Sequence, residues 1–199
     1  LNSNLVGGSG RLTVAECDTL YAGGWDMLSH SANHDSQTSL SQADRLADIR
    51  ANQAYLTAHG WTRGASQYIY PNGAYNAAVV ADLRTCGYTE AWAVTDKTQH
   101  SVRGLWPERM GLARYATDIA SSLSTLKGYG AAAIAHGGTV AYYSHNIKVS
   151  AVAGETEQAT FRGLIDYFTP LVAAGVMDNP TCSEWVRGLT NPRLPRSAS

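Results

Sequence analysis

The chain alternates between helical and strand-like patterns of apolar residues. Residues 11–22 place apolar side chains at helical spacing and precede Gly23-Gly24, which predicts a short helix that ends at glycine. Residues 25–28 are mostly apolar and predict a short strand leading into a polar loop. The clearest helix begins after Ser41 and ends at Gly60, and its shared face carries Leu46, Ile49, Gln53 and Leu56.

The second half of the chain continues this alternation. Residues 67–70 form a strand-like run that Pro71-Asn72-Gly73 breaks, and residues 76–86 form a helix with Val79, Val80 and Leu83 inward. The other predicted elements are strands at 91–95, 139–143 and 176–177 and helices at 119–136, 157–174 and 182–189. We expect an interruption near Gly128 and a kink or shortening at Pro170, and residues 96–116 look irregular.

Alternating helices and strands are typical of an α/β fold with a mainly parallel sheet or barrel. In such folds functional residues gather where strands end. His30 and His34 follow one predicted strand, Pro71-Asn72-Gly73 follows the next, and His145 follows a later one. The pattern therefore predicts one site built from several strand ends.

Composition narrows the classes of function. The 199 residues are enough for one large domain, and a formal net charge of -1 gives no basic surface for nucleic acid. No apolar run is long enough to span a membrane, and no signal-peptide pattern precedes residue 11. The three cysteines are Cys17, Cys86 and Cys182. Their odd number and wide spacing favour buried free thiols, and one disulfide with one free thiol is the alternative.

His30 and His34 stand four positions apart, with small and polar residues between them. Neutral imidazole nitrogens are good ligands for zinc, and a pair at this spacing can converge on one ion. The alternative is a pair of surface histidines in a polar loop. Their place after a predicted strand favours the metal interpretation.

The order of motifs resembles the polysaccharide deacetylase family, the NodB-homology domains of carbohydrate esterase family 4, from Leu12-Thr13 to about Leu189. His30-Ser31-Ala32-Asn33-His34 resembles the family's His-Ser/Thr-x-x-His motif. Residues 68–76, Tyr-Ile-Tyr-Pro-Asn-Gly-Ala-Tyr-Asn, resemble its Phe-x-Tyr-Pro-x-Gly segment, and Tyr143-Ser144-His145 resembles its late Leu-x-His strand end. The resemblance implies an incomplete or distorted (β/α) barrel of the NodB-homology type.

The resemblance also implies roles for particular residues. His30 and His34 would bind a divalent metal, usually zinc and sometimes cobalt or nickel. The substrate groove would include Tyr70, Pro71, Asn72 and Gly73, with the Asn72 backbone N–H donating to the oxyanion. His145 would be the general acid, Tyr143 would line the acetyl-methyl pocket, and Arg114 would orient charged partners.

The sequence departs from the family in one respect. The family's Thr-Phe-Asp-Asp segment, which supplies the catalytic base and a third metal ligand, has no counterpart among these residues. We expect either the C-terminal part of a longer or processed protein or a lineage that lost the segment. Asp26, Asp35 or Asp96 could replace the third ligand, with Asp35 ranked first.

Two functions follow from this interpretation. The first is a metal-dependent deacetylase acting on N- or O-acetyl groups of a polysaccharide. The alternative is a non-catalytic carbohydrate-binding or structural domain with a degenerate site, as in a cell-surface or phage-tail protein. We expect residues 1–10 to be a linker, 11–189 the deacetylase-like domain and 190–199 a flexible tail. A missing segment, a cleaved fragment or a second chain would complete the barrel, and we expect an extracellular, cell-surface or virion-associated location.

Overall fold

The computed structural model describes residues 1–94 and 109–188. Its main sheet has four parallel strands in the order β1-β2-β3-β4: β1 (Gln67–Ile69), β2 (Glu90–Val94), β3 (Leu112–Ala116) and β4 (Tyr142–Tyr143). The helices that accompany them are α1 (Val14–Ala22), α2 (Gln42–Ala58), α3 (Ala77–Thr85), α4 (Leu123–Ala135), α5 (Gln158–Ala173) and α6 (Cys182–Gly188). Strands β5 (Ile147–Lys148) and β6 (Thr156–Glu157) form a separate parallel pair. The predicted α/β class, with mainly parallel strands in an incomplete barrel, is confirmed.

The described residues divide into two compact units. The first unit contains Leu1–Ala93 with residues 109–112 and 181–188, and the second contains residues 94 and 113–180. All three cysteines are free thiols. Among the described residues, no helix combines the length and the hydropathy needed to cross a bilayer.

The core of the first unit forms between the β1–β2 pair and helices α2 and α3. Both helices begin at the polar residues that the sequence indicated: Ser41 Oγ accepts from the backbone N–H of Asp44, and Asn76 Oδ1 accepts from that of Val79. The buried cluster comprises Ile49, Tyr68, Tyr70, Val79, Leu83, Tyr88, Ala91, Ala93 and Met110. These contacts fix α2 against the carboxyl end of β1, where the candidate site lies.

The inward face of α2 is unusually polar. Besides Ile49 and Leu56 it buries Arg45, Asp48 and Asn52. Arg45 donates to the buried carboxylate of Asp82 on α3, with 2.6 Å between Nη2 and Oδ2. The helix is therefore held by directional polar contacts as well as by apolar packing.

In the second unit, α4 packs closely against α5. A side chain at Gly130 would lie 2.4 Å from the Phe168 ring, so only glycine permits this approach. The predicted interruption near Gly128 is wrong, because α4 runs unbroken from Leu123 to Ala135. Helix α5 also does not end at Pro170 but continues to Ala173.

Several predicted strands differ from the structure. Residues 25–28 form no strand, and Ser29 alone bridges Tyr68 in parallel. The segment is irregular because the Asp26 carboxylate accepts from the backbone N–H and hydroxyl of Ser183, at the start of α6. No strand forms at 176–177, because the Val176 N–H donates to the Leu171 carbonyl and closes the end of α5.

Strand β3 was not predicted, and the predicted strand at 139–143 shortens to β4. The β3 sequence, Leu-Ala-Arg-Tyr-Ala, has no strand-like alternation, and its pairing is decided by the register that places Tyr115 opposite Tyr142. The pair β5–β6 was also missed, since each strand has only two residues. The part of the predicted irregular segment from 96 to 108 lies outside the described residues.

Because the Tyr88 hydroxyl is buried, we expect the protein to lose stability at alkaline pH. This hydroxyl lies near Ser29 without a hydrogen bond of ordinary geometry in the described part of the chain, and burial raises the pKa of Tyr88 to about 12, with Ser29 opposing. Unfolded tyrosine ionises near pH 10. The free energy of unfolding that comes from keeping Tyr88 neutral is therefore fully present below pH 10 and is lost as the pH rises towards 12.

We expect Tyr88→Phe to leave the free energy of unfolding at pH 7 unchanged or slightly higher, because the buried hydroxyl that it removes makes no hydrogen bond of ordinary geometry within the described residues. Between pH 10 and 12 the variant should lose about 2 kcal/mol less than the wild type. Urea unfolding at several pH values measures both effects. The control Tyr75→Phe, at a residue that is 44% exposed, should lose as much stability as the wild type.

Candidate functional site

His30 lies at the carboxyl end of β1, although its own segment is not a strand. Ser29 accepts a hydrogen bond from the Ile69 N–H at 2.8 Å, which places His30 beside Ile69. The His30 ring nitrogen Nδ1 lies 2.8 Å from the Ile69 carbonyl oxygen. A carbonyl can only accept, so Nδ1 carries the proton and a neutral ring keeps its lone pair on Nε2. Backbone bonding of one ring nitrogen is the usual arrangement for a metal-binding histidine.

His34 is brought back towards His30 by a tight reversal of the chain. Ser31 and His34 both have left-handed backbones, with φ of 64° and 66°. The Ser31 hydroxyl accepts from the His34 backbone N–H at 3.0 Å and closes the turn. The two imidazole centroids are 4.7 Å apart, with their planes at 78°. Two left-handed non-glycine residues are costly, so the surrounding contacts must hold this loop.

Those contacts come partly from α2. The buried Asp48 carboxylate accepts from the backbone N–H and the side-chain amide of Asn33, both at 3.0 Å, and from the Gln37 amide at 2.9 Å. One turn further along, the Asn52 amide donates to the Ser29 hydroxyl at 2.8 Å. The inner face of α2 thus binds the loop both before and after the histidine pair.

Residues 1–4 hold the loop from another side. The Leu1 carbonyl accepts from the His30 backbone N–H at 3.1 Å. The Asn2 amide donates to the carbonyls of His30 and Ser31, and the Asn4 amide donates to Asn33 Oδ1 at 2.6 Å. Residues 1–4 thus contact the histidine loop, which comprises residues 30–37. The linker predicted for residues 1–10 stays a prediction.

The segment after β1 forms the next part of the site. Asn72 and Gly73 have left-handed backbones, with φ of 56° and 70°, and Asn72 is exposed. Tyr70 is fully buried, donates its hydroxyl to the Met110 carbonyl at 2.8 Å and stacks on Tyr75 with 4.6 Å between ring centroids. Tyr70 therefore fixes the position of the loop. Asn72 is the exposed residue of the segment, whereas Pro71 is buried.

Tyr68 packs beneath the histidine loop and stays neutral. Burial raises the pKa of Tyr68 far above its ordinary value and the Asp48 charge adds to this, while the nearby Ser31 hydroxyl opposes it. The phenol consequently supplies shape to the site and no charge.

The donor set at His30 and His34 fits two positions of a zinc site. Neutral imidazoles are preferred zinc ligands, and the backbone contact of His30 is made through Nδ1. Within residues 1–94 and 109–188, however, no group of three or more His, Cys, Asp or Glu side chains could hold a metal ion. Asp35 is exposed and does not complete such a group, and Asp26 is bonded to Ser183. Asp96 lies outside the described residues.

The remaining predicted site residues lie in the second unit and contact one another. The Tyr143 and His145 ring centroids are 5.7 Å apart, and the Arg114 guanidinium lies 4.9 Å from the Tyr143 ring centre. Burial raises the pKa of Tyr143, with Arg114 opposing and Asp118 adding. His145 is exposed, and its Nδ1 lies 3.3 Å from the Gly154 carbonyl oxygen. A carbonyl can only accept, so this contact is made by a proton on Nδ1.

Comparison with known proteins identifies the segment that bears the histidine pair. Residues 7–91 match a family model described as Polysaccharide deacetylase. This segment is similar to the polysaccharide deacetylase family. It contains His30, His34 and Pro71-Asn72-Gly73, whereas Arg114, Tyr143 and His145 lie beyond the matched residues.

Solved structures resemble the chain at low sequence identity. The putative polysaccharide deacetylase BA0330 from Bacillus anthracis has a TM-score of 0.52 and 17% identity, covering 64% of this chain and 39% of that one. The deacetylase PplD from Streptococcus pyogenes, solved with acetate, has a TM-score of 0.49 and 17% identity, covering 56% and 48%. This chain spans less than half the length of each. No curated protein matches it.

The sequence analysis missed the residues that support the deacetylase motif. Asp48, Asn52 and Gln37 are buried polar residues that contact the histidine loop or the residue before it. A signal existed, because Asp48 and Asn52 are four positions apart and interrupt the apolar face of α2. Polar residues at inward helical positions usually have specific partners.

Proposed function

We propose that this chain contributes to a metal-dependent hydrolase that removes acetyl groups from a polysaccharide. The observation that carries the proposal is the His30 ring, whose Nδ1 is held by the Ile69 carbonyl and whose centroid lies 4.7 Å from that of the His34 ring. The similarity of residues 7–91 to the deacetylase family gives this pair its chemical context.

We propose that His30 and His34 hold a divalent ion, with zinc the preferred one because both ligands are imidazoles. A divalent ion held there would supply a Lewis acid that polarises the acetyl carbonyl and makes a water more acidic. The Asn72 backbone N–H is proposed to donate to the oxyanion, and the left-handed, exposed backbone at that residue supports this role. The groove residues Pro71 and Gly73 shape the approach of the sugar.

His145 is proposed as the general acid. Its Nδ1 contact with the Gly154 carbonyl orients the exposed ring, and a second ring proton, on Nε2, would pass to the leaving amine. Tyr143 packs beside His145 and is proposed to line the pocket for the acetyl methyl group. Arg114 lies over Tyr143 and would orient charged groups.

The carboxylates for the third ligand and the base are proposed to come from another segment or a second chain. The second candidate function, a non-catalytic carbohydrate-binding or structural domain, is favoured by one observation: no third metal-binding side chain joins the histidines among the described residues. The proposed location is extracellular, cell-surface or virion-associated.

Acetate release from an acetylated chitooligosaccharide, with added Zn²⁺, separates the two functions. The deacetylase proposal expects activity when the carboxylate-bearing segment is supplied, and at least a hundredfold loss in His145→Ala, since general acid catalysis contributes about 10²–10⁴. Saturable sugar binding with no acetate release under those conditions would instead support the non-catalytic domain.

A further inference from the structure

Asp48 is a buried carboxylate that serves the histidine loop, defined as residues 30–37. It is 7% exposed and lies on the inner face of α2. Its Oδ1 accepts two hydrogen bonds from Asn33, and its Oδ2 accepts one from Gln37, which is itself fully buried. No ion pair with Asp48 occurs in the described part of the chain. Burying a charge that only neutral donors contact costs free energy. A carboxylate at position 48 therefore suggests a functional role.

The three hydrogen bonds bracket His34. Asn33 is the residue before His34, and its backbone N–H is bonded to Asp48 directly. Gln37 follows His34 by three positions and is held through its side-chain amide. Between these points the chain holds the left-handed conformations of Ser31 and His34. If the carboxylate were removed, the loop could relax towards ordinary backbone angles and carry the His34 ring away from His30.

We propose that Asp48 is a positioning residue that holds His34 in the geometry needed for a divalent cation. The inference rests on the proposed metal pair. The negative charge beneath the loop also favours a bound cation over an empty site. Asp48 acts through Asn33 and Gln37 and does not itself contact the ion.

Zn²⁺ affinity, measured by competition with a chromophoric chelator on the full chain, tests the proposal. We expect Asp48→Ala to weaken binding about tenfold or more, since loss of a residue that supports a metal ligand typically costs 10–100-fold. Asp48→Asn keeps an oxygen for the Asn33 donors and should lose only about threefold. The control Ile49→Val removes a buried methyl group at the next position of α2 and should leave affinity unchanged.

The proposal is wrong if wild type binds Zn²⁺ and folded Asp48→Ala, judged by circular dichroism, binds within about twofold of it. If Asp48→Ala does not fold, Asn33→Ala decides, because Asn33 is exposed and its side chain makes one of the three hydrogen bonds. A severalfold loss there supports the inference, and no loss overturns it. Wild type that binds no Zn²⁺, or binds it equally in His30→Ala, would refute the metal pair and the role of Asp48 together.

Discussion

Replacing His30 with alanine is expected to abolish measurable Zn²⁺ binding by this chain. The described residues supply two imidazoles and no third metal-binding side chain beside them, so removing one leaves a single neutral ligand. The loss should exceed a hundredfold in affinity, about 2.7 kcal/mol or more, measured by chelator competition. The fold should survive, because His30 is only partly buried and lies outside the apolar core.

His59→Ala is the matched control for this experiment. His59 is also partly buried and also bonds a backbone carbonyl through Nδ1, that of Tyr55 at 3.0 Å, but it stacks on Trp61 at the end of α2. Its replacement should leave Zn²⁺ affinity unchanged. Equal binding by wild type and His30→Ala would show that zinc binds elsewhere or nonspecifically.

The second large effect is expected at the buried ion pair between α2 and α3. The Asp82 carboxylate accepts from Arg45 at 2.7 Å and from Gln42 at 2.8 Å, and Arg45 also donates to the Gln37 and Leu40 carbonyls. Asp82→Ala leaves the guanidinium buried without its counter-charge. We expect the free energy of unfolding to fall by about 3–5 kcal/mol in urea denaturation.

A double replacement separates the charge effect from the packing effect. Arg45→Met with Asp82→Leu removes both charges and keeps apolar volume, so it should restore most of the stability lost in Asp82→Ala. An exposed ion pair typically contributes less than about 1 kcal/mol to the free energy of unfolding. A loss of that size in Asp82→Ala would contradict the buried contact between Arg45 and Asp82.

The sequence predicted those features that depend on local patterns. Ser41 and Asn76 begin α2 and α3 as expected, since a cap needs only the side chain and the next few backbone N–H groups. The histidine motif and the strand end before Pro71 were found for the same reason.

The support of the site depends on distant contacts and could not be predicted in this way. Asp48 holds Asn33 across 15 positions, and Asn2 reaches the His30 carbonyl across 28. Residues 1–4 resemble a loop in composition, and Asp26 looks like part of a strand until its contact with Ser183 is known. Which partner each polar side chain takes is decided by tertiary packing.

Nitrogen-detected NMR of the histidine rings during Zn²⁺ titration tests the metal pair most directly. The account predicts that the Nε2 resonance of His30 shifts on binding while its Nδ1 stays protonated against the Ile69 carbonyl, and that a His34 ring nitrogen shifts in step. Unchanged His30 and His34 resonances at saturating Zn²⁺, or binding at His30 Nδ1, would contradict it.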